Sequence, residues 1–193
     1  MSGNNTLLKN FRRVRVDVDT APFLAEIEKN SSDWVRRTER QNRKTEQRET
    51  QTIFLRAPTL SLIPGAIRNL MGIVLQDAHG SFWTPESRKL PVTCGFLRQF
   101  ADEHKAKLAR ATLVRLKPGG KVYEHIDEGE YYKKRNRYHL VLQSPNGSVL
   151  NSGGENVTMR NGELWWFDNK KMHSALNYGD DWRIHIIFDM LPG

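Results

Sequence analysis

The stretch ATLVRLKPGGKVYEHID, residues 111–127, decides how the chain is read. Two short apolar segments flank Lys117-Pro118-Gly119-Gly120, a turn signal in which proline presets one dihedral and glycine frees the next. In the second segment Val122 and Ile126 keep a strand-like pattern, which turns His125 and Asp127 toward one face, because side chains two apart in a strand point the same way. An imidazole and a carboxylate on one face make either an ion pair or half of a metal site. These residues alone leave both readings open.

The same rhythm continues to the end of the sequence. RYHLVLQ (137–143) runs into SPNG, SVLN (148–151) into SGGEN, and VTM (157–159) into RNG. ELWWFD (163–168) then runs into NKK, HSALNY (173–178) into GDD, and WRIHIIFDM (182–190) closes the series. Eight short strands punctuated by Gly, Asn and Pro predict an all-β sandwich or barrel. Upstream, FRRVRVDV (11–18) predicts a half-exposed strand and TIFLRAP (52–58) a buried one. Residues 20–30 predict a short helix with Thr20 as N-cap and Pro22 in its first turn. Ile67, Leu70, Met71 and Val74 recur at helical spacing over 65–79, as do Phe96, Leu97 and Phe100 over 93–108. The expected architecture is mainly β: a double-stranded β-helix, or jelly roll, of the cupin-like type, with N-terminal helices packed on one sheet. It is expected as one domain over 1–193, residues 1–108 forming the strand and helical part and 109–193 the jelly-roll core.

Composition bounds the function classes. The chain has 193 residues, enough for a sizeable core, and no apolar run approaches the ~20 residues that span a bilayer. The first residues lack the long apolar segment of a secretory signal, and a single cysteine, Cys94, excludes an intramolecular disulfide and fits a reducing compartment. A cytoplasmic protein without a membrane partner is expected. A formal charge of +8 favours an anionic ligand or partner. Residues 33–50 (DWVRRTERQNRKTEQRET) are highly charged with almost no apolar periodicity, and read as a solvated segment.

The chemistry gathers in the β region. His173 follows the ELWWFDNKK turn, and Arg183 stands ten residues beyond it inside an apolar strand. Two histidines and one carboxylate, here His125, Asp127 and His173, cover one face of an octahedral metal and leave positions open, as in non-haem Fe(II) oxygenases. An arginine buried in a strand needs a counter-anion. A dicarboxylic keto acid chelating the metal supplies one, and a planar guanidinium suits its far carboxylate. The leading reading is an Fe(II)- and 2-oxoglutarate-dependent dioxygenase using O2. The alternative is a non-catalytic basic β-barrel module that binds nucleic acid, or an oxygenase acting on nucleic acid. The dispersion of the basic residues disfavours the binding module, while the oxygenase acting on nucleic acid stays open, with the charged segment 33–50 as its one hint.

YEHIDEG, RNRYHLVLQSP, GELWWFDNKKMHSALNYG and DWRIHIIFDM together resemble the aspartyl/asparaginyl β-hydroxylase family of Fe(II)/2-oxoglutarate oxygenases, over roughly residues 50–193. The resemblance implies hydroxylation of an unactivated C–H, foremost the β-carbon of an Asp or Asn residue in an amino-acid, peptide or protein substrate, with release of succinate and CO2. It implies that Arg137 and His139 hold the metal-proximal carboxylate of the cosubstrate and that Arg183 holds the remote one. The best-known animal members carry glycine where Asp127 stands, so the carboxylate of the triad is a feature of this chain. A serine that assists the remote carboxylate in those members aligns with Val114. Thr112, on the same strand face, is the expected substitute, with the Tyr123 hydroxyl as another. His185 is expected as a satisfied core histidine or as one that supports the site from behind, and not as a ligand. The loop 128–137 lies beside the metal ligands, where substrate contacts concentrate. Tyr131 and Tyr132 are therefore candidate substrate-binding residues, with Lys133, Lys134 and Arg135 next to them.

Overall fold

A computed structural model describes residues 8–36, 45–72 and 79–193. Two antiparallel sheets face each other. The larger has seven strands: β1 (Phe11–Arg15), β9 (Leu164–Phe167), β6 (Asn136–Gln143), β11 (Arg183–Leu191), β4 (Lys107–Leu116), β2 (Thr50–Pro58) and β3 (Ser81–Trp83), in that spatial order. The smaller has four, β5 (Lys121–His125), β10 (His173–Asn177), β7 (Ser148–Ser152) and β8 (Glu155–Val157). Seven of the eight strands expected after Ala109 are present in place among β4 to β11, the eighth is shifted from 157–159 to β8 at Glu155–Val157, and the architecture is the expected jelly roll. The strands β1, β2 and β3 from the first half of the chain extend the larger sheet, so that sheet is not built from residues 109–193 alone.

The period of two sorts each central strand between two environments. Along β11, Ile184, Ile186, Phe188 and Met190 join an apolar cluster with Leu113, Leu140, Leu164, Leu97 and Phe100. Arg183, His185, Ile187 and Asp189 point the other way, into a cavity between the sheets. Both faces of β11 are covered, which is why it reads as a near-continuous apolar run.

The apolar face of the larger sheet is closed by the helices Ala21–Lys29 and Pro91–Glu103, as expected. Pro91 opens the second helix, where a missing N–H costs nothing. The Glu26 carboxylate on the first helix accepts the Val92 and Thr93 N–H groups at 2.5 and 3.0 Å. This satisfies donors that a helix start leaves open and ties the two helices together.

Several local expectations need correction. Thr20 lies in the right-handed helical region and makes no side-chain cap. Asp19 Oδ1 accepts the Ala21 N–H at 3.0 Å instead. The helix beginning at Pro91 ends at Glu103, two residues before Lys105 adopts a positive φ of 48° and turns the chain into β4. In the expected helix 65–79, Gly65–Leu70 is helical, but Ile67, Leu70 and Met71 are exposed; Val74 lies outside the described residues. In the charged segment 33–50, Asp33 and Trp34 are buried, the Trp34 ring lying 4.7 Å under the Arg115 guanidinium; residues 37–44 lie outside the described residues.

Candidate metal and anion site

Strand register brings the two histidines together. His125 at the end of β5 and His173 at the start of β10 are direct partners in the antiparallel ladder, with ring centroids 4.3 Å apart. The β5 strand stops at His125, so Asp127 is placed by the following loop, not by strand alternation as expected. Its N–H donates to the Asn169 carbonyl at 3.2 Å, and its Oδ2 accepts from the Asn169 amide at 2.9 Å and from Arg137. One ligand atom from each of His125, Asp127 and His173 lies within 4.8 Å of the others.

The hydrogen bonds around the triad suit a cation. His125 Nδ1 sits 2.7 Å from the Tyr123 carbonyl and His173 Nδ1 2.8 Å from the Lys171 carbonyl. A carbonyl only accepts, so each Nδ1 carries the proton and each Nε2 keeps a free lone pair, the tautomer a metal requires. Burial pulls the His173 pKa down to about 4 against the opposing pull of Asp127. Burial alone would raise Asp127, but Arg137, His173, Asn169 and His125 together hold it at about 2. The triad therefore presents one carboxylate and two imidazoles whose Nδ1 atoms are taken up by backbone carbonyls, and these residues fit Fe(II).

Both shifts act on stability in the same direction. The unfolded chain protonates His173 first as pH falls from about 6.5 to 4, and Asp127 first below about 4, so stability drops on acidification. The melting temperature of the metal-free protein is expected to fall from pH 7 to pH 4. The slope is expected to be shallower in His173→Gln, and thermal melts over that range check it.

Arg137 was expected on the metal-proximal carboxylate of the cosubstrate. It bridges Asp127 and Asp189, with Nε 2.8 Å from Asp189 Oδ1 and Nη2 3.0 Å from Oδ2. Tyr131 completes the chain of contacts: its hydroxyl donates to Asp189 Oδ2 at 3.1 Å and accepts the Arg110 N–H at 2.9 Å. Tyr131 is fully buried, its ring between the guanidiniums of Arg110 and Arg135 at 3.7 and 4.1 Å. It braces the loop from behind and does not line the cavity, a correction to its expected place among substrate contacts. Tyr132 does line the cavity, its ring packed against Tyr131 and under Arg137. Arg135 is buried on the Tyr131 and His79 carbonyls, while Lys133 and Lys134 are exposed.

The cavity has a volume of about 490 Å³. The triad histidines, Arg137, His139, Phe167 and Arg183 all border it, with Leu116, Val122, Leu150 and Ala175 as apolar wall. Arg183 is 7% exposed and has no ion-pair or hydrogen-bond partner among the described residues. Burial alone lowers its pKa to about 10, with no carboxylate acting against it. Such a guanidinium is costly to bury without an anion. Thr112 faces the cavity but pairs with Ile187, four residues along β11 from Arg183, roughly 13 Å of strand. It stands level with His139 and away from the anion end. The Tyr123 hydroxyl is at the surface, donating to Glu49 and accepting from Arg48.

A family model described as aspartyl/asparaginyl β-hydroxylase matches residues 24–192. The chain belongs to this family. The paired triad and lone arginine suit the Fe(II), 2-oxoglutarate and O2 of hydroxylase chemistry. An L-proline cis-4-hydroxylase of Rhizobium meliloti is 29% identical over 130 residues, 64% of this chain and 45% of that protein. The chain thus matches less than half the length of that relative. Among solved structures, the viral collagen prolyl hydroxylase of Paramecium bursaria chlorella virus-1 aligns with a TM-score of 0.57, 12% identity and coverage of 96% and 97% of the two chains. A 2OG-Fe(II) oxygenase family oxidoreductase from Burkholderia pseudomallei aligns at 0.51, with 10% identity and coverage of 92% and 93%. At these identities the likeness is one of fold. Among the described residues, no helix is long and apolar enough to cross a membrane.

Asn169 and Asp189 escaped the reading of the sequence. Asp189 continues the spacing of two that begins at Arg183 and His185, a signal present in WRIHIIFDM. Asn169 sits in a turn that looked like mere punctuation. Because Asn169 grips both the backbone and the carboxylate of Asp127, Asn169→Ala is expected to weaken divalent-metal affinity by roughly 10–100-fold. Metal titration of the purified variant checks it.

Proposed function

We propose that the chain hydroxylates an unactivated C–H of an amino acid or peptide, turning substrate, 2-oxoglutarate and O2 into hydroxylated product, succinate and CO2. The observation that carries this reading is that His125 and His173 of the triad and the partnerless Arg183 border one cavity, with the Asp127 carboxylate grouped beside the two imidazoles. His125, Asp127 and His173 would hold the iron. Bound there, iron supplies activation of dioxygen coupled to oxidation of the keto acid.

The chain's own residues do the positioning. Arg183 takes the far carboxylate of the cosubstrate and fixes its direction along the cavity. Arg137 stands between that end and the triad, where it would take the near carboxylate, and His139 lines the same stretch of the cavity. Arg137 also holds Asp127 in place through the charge it shares with Asp189. Phe167, Leu150, Val122 and Leu116 keep the interior dry, which strengthens each charge–charge contact there. Tyr132 faces the cavity beside Arg137 and is the residue of the 128–137 loop placed to meet substrate.

The family's description favours the β-carbon of Asp or Asn, and the proline hydroxylase relative favours a proline ring carbon. Incubation with Fe(II), 2-oxoglutarate and free Asp, Asn, Pro or short peptides carrying them tests both. Substrate-dependent succinate with a product gain of one oxygen by mass supports the reading and names the carbon. Succinate formation that no amino acid or peptide stimulates would sink it.

A further inference from the structure

His185 was expected as a satisfied core or supporting histidine and not as a ligand, and the structure gives it a different standing. It is 1% exposed, borders the cavity, and its Nε2 is buried with no hydrogen-bond partner among the described residues. It stands two residues from Arg183 on the same face of β11. Directly across the ladder, on β4, is Val114, whose side chain has no hydrogen-bonding group. A buried polar atom without a partner is rare in a folded protein and calls for a ligand. We infer that His185 is a cosubstrate-binding residue, its Nε2–H joining Arg183 on the far carboxylate of 2-oxoglutarate from the strand that faces Val114.

The neighbouring ring makes His185 a donor. His139 Nδ1 and His185 Nδ1 are 3.3 Å apart, with the rings nearly perpendicular. Burial, reinforced by Arg183, drives both pKa values well down, so both imidazoles are neutral. Between two neutral imidazoles one nitrogen donates and the other accepts. With His139 donating, His185 accepts at Nδ1 and carries its proton on Nε2. The reverse arrangement would aim a bare lone pair at an incoming carboxylate. An anion in the pocket therefore selects the donor form, and His139 fixes it.

The inference rests on the pocket being a 2-oxoglutarate site, and one experiment separates the two. Anaerobic Fe(II)-loaded protein is titrated with 2-oxoglutarate and with 2-oxobutyrate, which lacks the far carboxylate, by absorption and by calorimetry. His185→Leu is expected to weaken 2-oxoglutarate by about 10–100-fold, the range for a charge-assisted hydrogen bond, while 2-oxobutyrate stays within about twofold. His185→Phe repeats the test with ring volume kept. Val114→Ser in the His185→Leu background, restoring a hydroxyl across the ladder, is expected to recover part of the loss. Unchanged 2-oxoglutarate affinity in the His185 variants, or equal weakening of both keto acids, overturns the role of His185. If Arg183→Met also leaves 2-oxoglutarate affinity unchanged, the pocket does not hold the far carboxylate and both readings fall together. An effect of Arg183→Met without one of His185 sinks this inference alone.

Discussion

Arg183→Met melts at a higher temperature than the unaltered chain when no ligand is present, and gains far less from 2-oxoglutarate. The two halves of this expected result have one cause. A guanidinium buried without a partner has lost its hydration and gained no counter-charge, so an apolar side chain of similar length relieves the folded state. Exchange of buried ionic groups for apolar ones is often stabilising, by about 1–4 kcal/mol. For a chain of this size each kcal/mol moves the melting temperature by about 2–4 °C. In the metal-loaded, unaltered protein, 2-oxoglutarate at a hundred times its Kd adds about 2.7 kcal/mol. The variant loses the anion's partner, which costs binding about 2–5 kcal/mol, or roughly 30-fold or more. Thermal melts of both proteins with and without cosubstrate decide it. Equal cosubstrate-induced shifts in the two would mean that the anion binds elsewhere.

His173→Ala removes tight binding of divalent metal. The loss is expected to exceed the roughly 10–100-fold that an outer hydrogen-bonding partner costs, because a ligand itself is removed. The absorption band that 2-oxoglutarate raises on the Fe(II) protein disappears with the metal. The fold survives, because His173 lies at the start of β10 and the rest of that strand still pairs with β5 and β7. Metal analysis after dialysis and far-ultraviolet circular dichroism measure the two halves. Full retention of metal in a folded variant would exclude His173 as a ligand.

Much of the jelly roll was legible because its strands are short and each is closed by a local signal. Gly119, Gly147 and Gly162 all adopt positive φ at turns read as breaks. What joins across the sheet carries no local signal. Nothing in FRRVRV says that Phe11 pairs with Phe167, or in TIFLRAP that Ile53 pairs with Leu113. The triad was legible from residue type and order, but its closeness depends on the pairing of His125 with His173. The helical spacing at Ile67, Leu70 and Met71 misled because periodicity reports which residues share a face, not whether another surface covers it. Tyr131 misled for a related reason: of the adjacent residues Tyr131 and Tyr132, whose rings pack edge to face, only Tyr132 reaches the cavity, and no local pattern tells the two apart.

The cavity's two walls differ in how firmly the chain holds them. Arg183 and His185 ride on β11, flanked by β4 and β6 in the middle of the larger sheet. His125 ends β5, an edge strand whose one ladder partner is β10, whose side chains are largely exposed, and whose other side is tied only by Lys121 and Tyr123 to Glu49 and Arg48 among the described residues. Separating β5 from its neighbour breaks one ladder and uncovers little apolar surface, so it is among the cheaper local openings the molecule has. A cation shared by His125 and His173 pins that ladder at its end. Holding the ion and keeping the edge zipped are then a single equilibrium, and the metal serves as the clasp of the β5 edge as well as a reagent.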